Sequence, residues 1–159
     1  MANLQIDPKT ARRLYPTAAS ELKEILIETF GKEFFKRNII DCIDTFEDCL
    51  EETGRPAIPQ FSDVPEDLRD FFKSTYQAVV ICEAFNEGER LDLFNENVGR
   101  YYPYFTTEGS SARFRFNGTG CDHSLSAAGS GSRLSLKNDD LAKAVGKKFT
   151  AVFRDMQSK

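Results

Sequence analysis

The chain has 159 residues, a formal charge of −4, 40% hydrophobic and 29% charged side chains, enough for a globular chain with a real core. No apolar run approaches the roughly 20 residues of a membrane helix, and Met1-Ala2-Asn3-Leu4-Gln5 lacks the basic start and apolar run of an export signal. The expectation is a cytoplasmic protein, outside the membrane, secreted and collagen-like classes.

Phe occurs 14 times, Tyr five times and Trp not at all, so the core is built on benzene rings. His123 is the one histidine, which removes mechanisms needing two, including most catalytic zinc sites. Cys42, Cys49, Cys82 and Cys121 form no Cys-x-x-Cys pair. Cys42 and Cys49 are expected two turns apart on one helix, roughly 10 Å, beyond the ~7 Å reach of a disulfide. Free thiols, no metal and no cofactor are expected.

Charge is uneven along the chain. Residues 1–20 carry +2, residues 21–52 −6, residues 53–108 −5 and residues 109–159 +5. An acidic part thus precedes a basic one. That suits either an anionic partner for the basic end or two self-complementary halves.

In chain order, Asp7-Pro8 starts a short helix, with Asp7 as N-cap and Pro8 at the first position, and Tyr15-Pro16 ends it. Thr17 is expected to cap a second helix with Leu22, Ile25, Leu26 and Phe30 on its apolar face, stopped by Gly31. Phe34 and Phe35 follow in a linker or short helical turn. Asn38 is expected to cap a third helix closing at Gly54, with Ile39, Ile43, Phe46 and Leu50 as its stripe. Asp41, Asp44, Asp48 and Glu51 line another face, read as solvated rather than catalytic.

A proline-rich connection over residues 54–65 leads to a fourth helix from about Pro65 to Phe85 or Asn86, with Asp63 and Glu66 resembling a capping box. Leu68, Phe71, Phe72, Val79, Cys82 and Phe85 give it a wide apolar face. Leu91, Leu93 and Phe94 are expected to pin an irregular stretch to the core. The pattern changes at Tyr101. The run Tyr101-Tyr102-Pro103-Tyr104-Phe105 reads as an edge strand, Ala112 to Phe116 as a second strand followed by an Asn117-Gly118 turn, and Arg133 to Lys137 as a third. A last helix follows Asn138, with stripe Leu141, Val145, Phe149, Val152 and Met156. Phe46, Leu50, Phe72, Val79, Phe114, Phe116, Leu134, Leu136 and Phe149 are the expected core.

The fold expected is α+β: N-terminal helices, a small and mostly antiparallel sheet, and a C-terminal helix packed on it. One domain over residues 1–159 is expected, with a helical part at about 7–88 and a β-rich part with the last helix at about 101–157.

Strand alternation puts Phe114 and Phe116 on one face and Arg113 and Arg115 on the other. It likewise turns Leu134 and Leu136 inward and Arg133, Ser135 and Lys137 outward. On a shared sheet, Arg113, Arg115, Arg133 and Lys137 would line one surface beside Tyr102 and Tyr104, a set that can hold phosphates and stack bases. The same alternation fits a solvated face paired to acids of the helical half. Gly118-Thr119-Gly120 and Gly129-Ser130-Gly131-Ser132 lack the helix and lysine of a phosphate loop and read as turns. Cys121, Asp122 and His123 are adjacent on an extended chain, so adjacency alone does not build a catalytic dyad. No catalytic residue is assigned.

The order of segments is itself distinctive. Leu14-Tyr15-Pro16-Thr17 through Gly31-Lys32-Glu33-Phe34-Phe35, Thr45-Phe46-Glu47-Asp48, Asn86-Glu87-Gly88, the Tyr101 to Phe105 run, Gly131-Ser132-Arg133-Leu134 and Leu141 through Phe149 follow one another. Together they resemble a family of small proteins encoded by phages and prophages of gut Bacteroidetes, crAss-like phages among them. Relatives carry tryptophan in the aromatic segment and Cys-Phe-Lys where this chain has Ser135-Leu136-Lys137. The resemblance implies a phage-encoded accessory protein in the cytoplasm of the bacterial host. It brings no catalytic residues.

The expected function is a non-enzymatic binding module for an anionic partner: nucleic acid, a nucleotide signal of host defence, or an acidic protein. A structural or virion-associated protein that assembles with its own copies is the alternative, and an enzyme on nucleotide or phosphate substrates a further one.

Overall fold

The structure, a computed structural model, describes residues 6–36, 38–126 and 131–159. The segment 1–5, read above for an export signal, lies outside them. The chain divides into two compact units, Met1–Cys42 and Ile43–Lys159.

The first unit holds α1 (Pro8–Leu14), α2 (Ser20–Phe30) and α3 (Ile39–Cys42), with 3-10 turns at Tyr15–Thr17 and Lys32–Phe35. Asp7 caps α1 as the Asp-Pro pair predicts: its carboxylate accepts from the Thr10 N–H at 3.0 Å and the Thr10 hydroxyl at 2.6 Å. Thr17 does not cap α2. It closes the preceding 3-10 turn and its hydroxyl donates to the Leu14 carbonyl, so α2 starts at Ser20. Gly31 ends α2 with φ +83°. Leu26 is buried but Ile25 of the same stripe faces solvent. Tyr15 stacks on Phe35 at 4.1 Å between ring centres, and Arg12 lies 4.0 Å above Phe34.

The expected single helix from Asn38 to Gly54 is two. Asn38 caps α3, accepting from the Ile40 N–H, but α4 (Phe46–Thr53) begins afresh from Thr45. There the Thr45 hydroxyl accepts from the Asp48 N–H, and the Asp48 carboxylate accepts from the N–H groups of Asp44 and Thr45 at 3.0 and 2.8 Å. The acidic stripe is therefore not one helix face, and Cys42 and Cys49 do not share a helix. All four cysteines are free.

In the second unit α5 (Glu66–Phe85) is the central element, packing on α4 and α7. No side chain caps its start, so Asp63 does not act as expected. Arg69 instead ties down the proline-rich connection, donating to the carbonyls of Val64 and Ser62. The second half of α5 is core, with Ala78, Val80, Ile81, Cys82, Ala84 and Phe85 buried. Its first half is surface: Phe72 is 38% exposed, against expectation, beside exposed Leu68 and Phe71. Leu91 is pinned inward, whereas Phe94 is 91% exposed.

Strands β1 (Arg100–Thr106) and β2 (Arg115–Asp122) form an antiparallel pair. The reversal lies at residues 107–110, where Glu108 and Gly109 both have positive φ and the Ser110 N–H donates to the Thr107 carbonyl. A 3-10 turn at Ser111–Arg113 follows. The Asn117-Gly118 pair is thus not a turn but part of β2, at a bulge where the register shifts between Tyr104 and Phe105.

The third strand does not form. Residues 133–137 meet β1 at one bridge, Leu136 to Tyr101. Leu136 exchanges both backbone bonds with Tyr101, and the Asn86 side chain takes the opposite edge, donating to the Ser135 carbonyl at 2.8 Å and accepting from the Lys137 N–H at 3.0 Å. Ser135, expected to face outward, has 0% exposure.

The expected last helix is two, α6 (Asp139–Lys148) and α7 (Thr150–Ser158); α6 follows Asn138 as expected, and the Asn138 side chain caps it by accepting from the Leu141 N–H. The break at Phe149 brings Phe153 rather than Val152 into the core, stacked on Phe105. α6 packs on both strands. Gly146 permits this, because a Cβ there would lie 2.3 Å from the Phe116 ring and 2.8 Å from Pro103. Of the expected core, Leu136 and Phe149 are buried; Phe46, Leu50, Val79, Phe114, Phe116 and Leu134 are half-buried. The architecture is α+β, with helices before and after a two-stranded antiparallel sheet.

Candidate functional site

The six candidate residues fall into two groups. Arg115 pairs with Thr106 at one end of β1, whereas the segment carrying Arg133 and Lys137 touches β1 at Tyr101, five residues away. At strand rise this is roughly 17 Å. The expected surface of four cations on one sheet is therefore not assembled.

The first group sits on the hairpin. Its inner face carries Pro103 and Phe116 against Gly146 of α6. Its outer face carries Tyr102 opposite Gly120, Tyr104 opposite Gly118 and, past the bulge, Arg115 opposite Thr106. The tyrosine rings lie over the glycines: a Cβ on Gly120 would sit 2.6 Å from the Tyr102 ring, and one on Gly118 2.8 Å from the Tyr104 hydroxyl. The glycines thus serve close ring-over-backbone packing. The Tyr102 hydroxyl donates to Asp122 at 3.5 Å, and burial together with that carboxylate raises its pKa. Arg115 is ion-paired with Glu108, while Arg113 lies exposed in the preceding 3-10 turn. The Glu108 and Asp122 carboxylates thus lie with Arg115 and Tyr102.

The second group lies at the C-terminal end of α5. Asn86, Glu87 and Gly88 turn the chain sharply, Glu87 with φ +53° and Gly88 with φ +79°. The Glu87 carboxylate holds Lys137 at 2.8 Å, so Lys137 is neutralised by an acid of the helical half. Arg133 is not. It lines a cleft of about 150 Å³ with Arg55, Arg90, Glu83, Glu89 and Ser132. Glu83 grips Arg55 through two hydrogen bonds of 2.9 Å, from Nε and Nη2. Among the described residues, Arg90 and Arg133 have no hydrogen-bond or ion-pair partner. Two guanidinium groups thus line a concave site beside a third whose charge is spent on Glu83.

Arg90 and Arg55 were not anticipated from the sequence. Arg90 lies in the irregular stretch after α5, where periodicity gives no side-chain direction. Arg100 was also missed. It is 1% exposed and donates to the carbonyls of Leu93 and Leu125, clamping two loops, with its Nε unpartnered.

The Cys121 and His123 side chains, two apart on an extended chain, share a face, and Sγ lies 3.7 Å from Nε2. Sequence adjacency therefore does bring them together, with Asp122 turned toward Tyr102. Among the described residues no carboxylate is bonded to the imidazole, so the pair lacks the orienting third group of a nucleophile triad. Burial pushes the Cys49 and Cys82 thiols up to about 12. Among the described residues no group of three or more His, Cys, Asp or Glu is placed to hold a metal, and no helix is long and apolar enough to cross a membrane. The glycine-serine loop at 129–132 lies partly outside the described residues; within them, the Gly131 carbonyl accepts from Leu134 N–H and the Ser135 hydroxyl.

Comparison of the chain with protein-family models, curated proteins and solved structures finds no match.

Proposed function

We propose that this chain is a non-enzymatic binding module for a small anion, held in the cleft at the C-terminal end of α5, and that it is a phage-encoded accessory protein working in the host cytoplasm. The observation that carries the anion site is the pair Arg90 and Arg133, two cations without partners among the described residues in one concave place. A small concave cleft favours a small ligand over nucleic acid, which a broad cationic face would suit better. The hairpin face supports such a role less well, because Glu108 neutralises Arg115 and Asp122 lies beside Tyr102. Titration calorimetry with inorganic phosphate at low salt tests the site: binding by the parent protein, lost in Arg133→Gln, supports it, and no binding by the parent contradicts it.

A second reading, self-assembly in a structural or virion-associated role, is favoured by one observation. Leu68, Phe71 and Phe72 are exposed on the first half of α5, with Phe61 5.8 Å from Phe72 between ring centres. Light scattering tests it: a multimer that Phe72→Ser dissolves supports it, and a monomer at all concentrations removes it.

A further inference from the structure

We infer, resting on the cleft as the anion site, that its ligand is a phosphate monoester bound through its terminal phosphoryl group, with the esterified moiety outside the cleft. Charge is the first reason. Arg90 and Arg133 offer two unpaired positive charges, and each guanidinium presents a planar fork that fits two oxygens of a phosphate. A monoester carries about −1.5 to −2 at pH 7, with a second pKa near 6. It matches the two guanidinium charges, the Glu89 carboxylate on the same cleft being offset by Lys137 at 4.0 Å; a diester or a carboxylate, each a monoanion, leaves one guanidinium unmatched.

Size is the second reason. The cleft of about 150 Å³ is well below the roughly 300–1,000 Å³ of sites that enclose a whole drug-sized ligand. It admits the phosphoryl group and little more. Ser132 on the wall adds a hydroxyl donor for a third oxygen.

The surroundings supply the third. Glu83 and Glu89 border the cleft, and Lys137 beside it is held by Glu87. The other candidate cations, Arg113 and Arg115, belong to the far end of the hairpin, and Arg115 is paired. Among the described residues, the other cations named at the cleft, Arg55 and Lys137, are held by Glu83 and Glu87 and are not free to follow a polymer backbone. Arg55 in turn keeps the Glu83 carboxylate occupied.

The test is calorimetry at low salt with three probes: phenyl phosphate, its diester diphenyl phosphate, and a single-stranded oligonucleotide with no terminal phosphate. The parent protein should bind the monoester at least tenfold more tightly than either other probe. Arg90→Gln and Arg133→Gln should each weaken it about tenfold, and Arg113→Gln should leave it unchanged. Monoester affinity should fall as pH drops from 7.5 to 5.5, since the ligand takes up a proton, while diester affinity stays flat. If the diester or oligonucleotide binds as well as the monoester and Arg133→Gln still abolishes binding, the ligand class is wrong and the anion site stands. If no probe binds the parent, both fail. Both arginines are exposed, so the two variants, checked by circular dichroism, keep the test independent of folding.

Discussion

The buried Asn86 side chain, at the end of α5, donates to the carbonyl of Ser135, 49 residues later, at 2.8 Å. Its oxygen accepts from the next-but-one N–H, that of Lys137. One amide thereby fixes the segment that carries Arg133 against the turn that carries Arg90. Replacing Asn86 by Ala removes both bonds and leaves polar backbone unsatisfied, at a cost of about 2–3 kcal/mol. Urea melts should show a lowered midpoint with phosphate affinity lost alongside; a change below about 0.5 kcal/mol would mean that water or a shifted loop replaces the amide.

Gly146 sets two effects against each other. Alanine gains about 1 kcal/mol of helix propensity in α6, but its Cβ would enter the Phe116 ring and crowd Pro103, a rigid residue within β1. Overpacking of this kind costs typically 1–3 kcal/mol. Gly146→Ala should therefore destabilise, and less so in a Phe116→Ala background. A stabilised Gly146→Ala protein would show that α6 and the hairpin are not in such close contact.

The thiols should sort by burial. Cys42 and Cys121 are exposed, whereas Cys49 and Cys82 are buried with pKa values pushed up to about 12. A thiol reagent at pH 8 should label two cysteines quickly and the other two only on unfolding. Rapid labelling of Cys82 in the native protein would contradict the packing of α5 on α4.

Asp48 makes the start of α4 sensitive to acid. The N–H groups of Asp44 and Thr45 lower its pKa below the ordinary 3.8. A depressed native value contributes stability that is present above the unfolded pKa and is lost as the pH falls through 3.8 to the native value. Thr45→Ala removes the reciprocal half of the box, at about 1 kcal/mol. Melts from pH 6 downward should converge for Asp48→Asn and the parent as Asp48 protonates, while the Thr45→Ala gap persists because its lost bond is to a backbone N–H; a constant Asp48→Asn gap would separate the cap from Asp48 ionisation.

Much of the fold is written locally. Asp7-Pro8, Gly31, Gly54 and Asn138 mark helix ends with short-range chemistry and are found where that chemistry puts them. The break before α4 is also written locally, in Thr45-x-x-Asp48, but the apolar spacing of Ile39, Ile43, Phe46 and Leu50 runs through it and reads as one helix. The missing third strand is different in kind. Residues 133–137 alternate faultlessly, yet they meet β1 only at Leu136, and their other edge is held by Asn86, far away in sequence. The site divides the same way. Arg133 is found from strand parity although it lies on no strand, and its partner in the cleft, Arg90, falls in a stretch without periodicity. Tyr102, Tyr104 and Arg115 share a face because a bulge at Asn117 preserves their alternation, which no turn rule for Asn-Gly foretells.

The central claim is that Arg90 and Arg133 take an anion in the cleft at the end of α5. The most direct measurement is a titration of the nitrogen-labelled protein with phenyl phosphate, followed by amide chemical shifts. The account predicts saturable shifts concentrated at Gly88, Arg90, Ser132 and Arg133, abolished by Arg133→Gln. Shifts centred on Tyr104 and Arg115, or no saturable shift at millimolar phenyl phosphate, would contradict it.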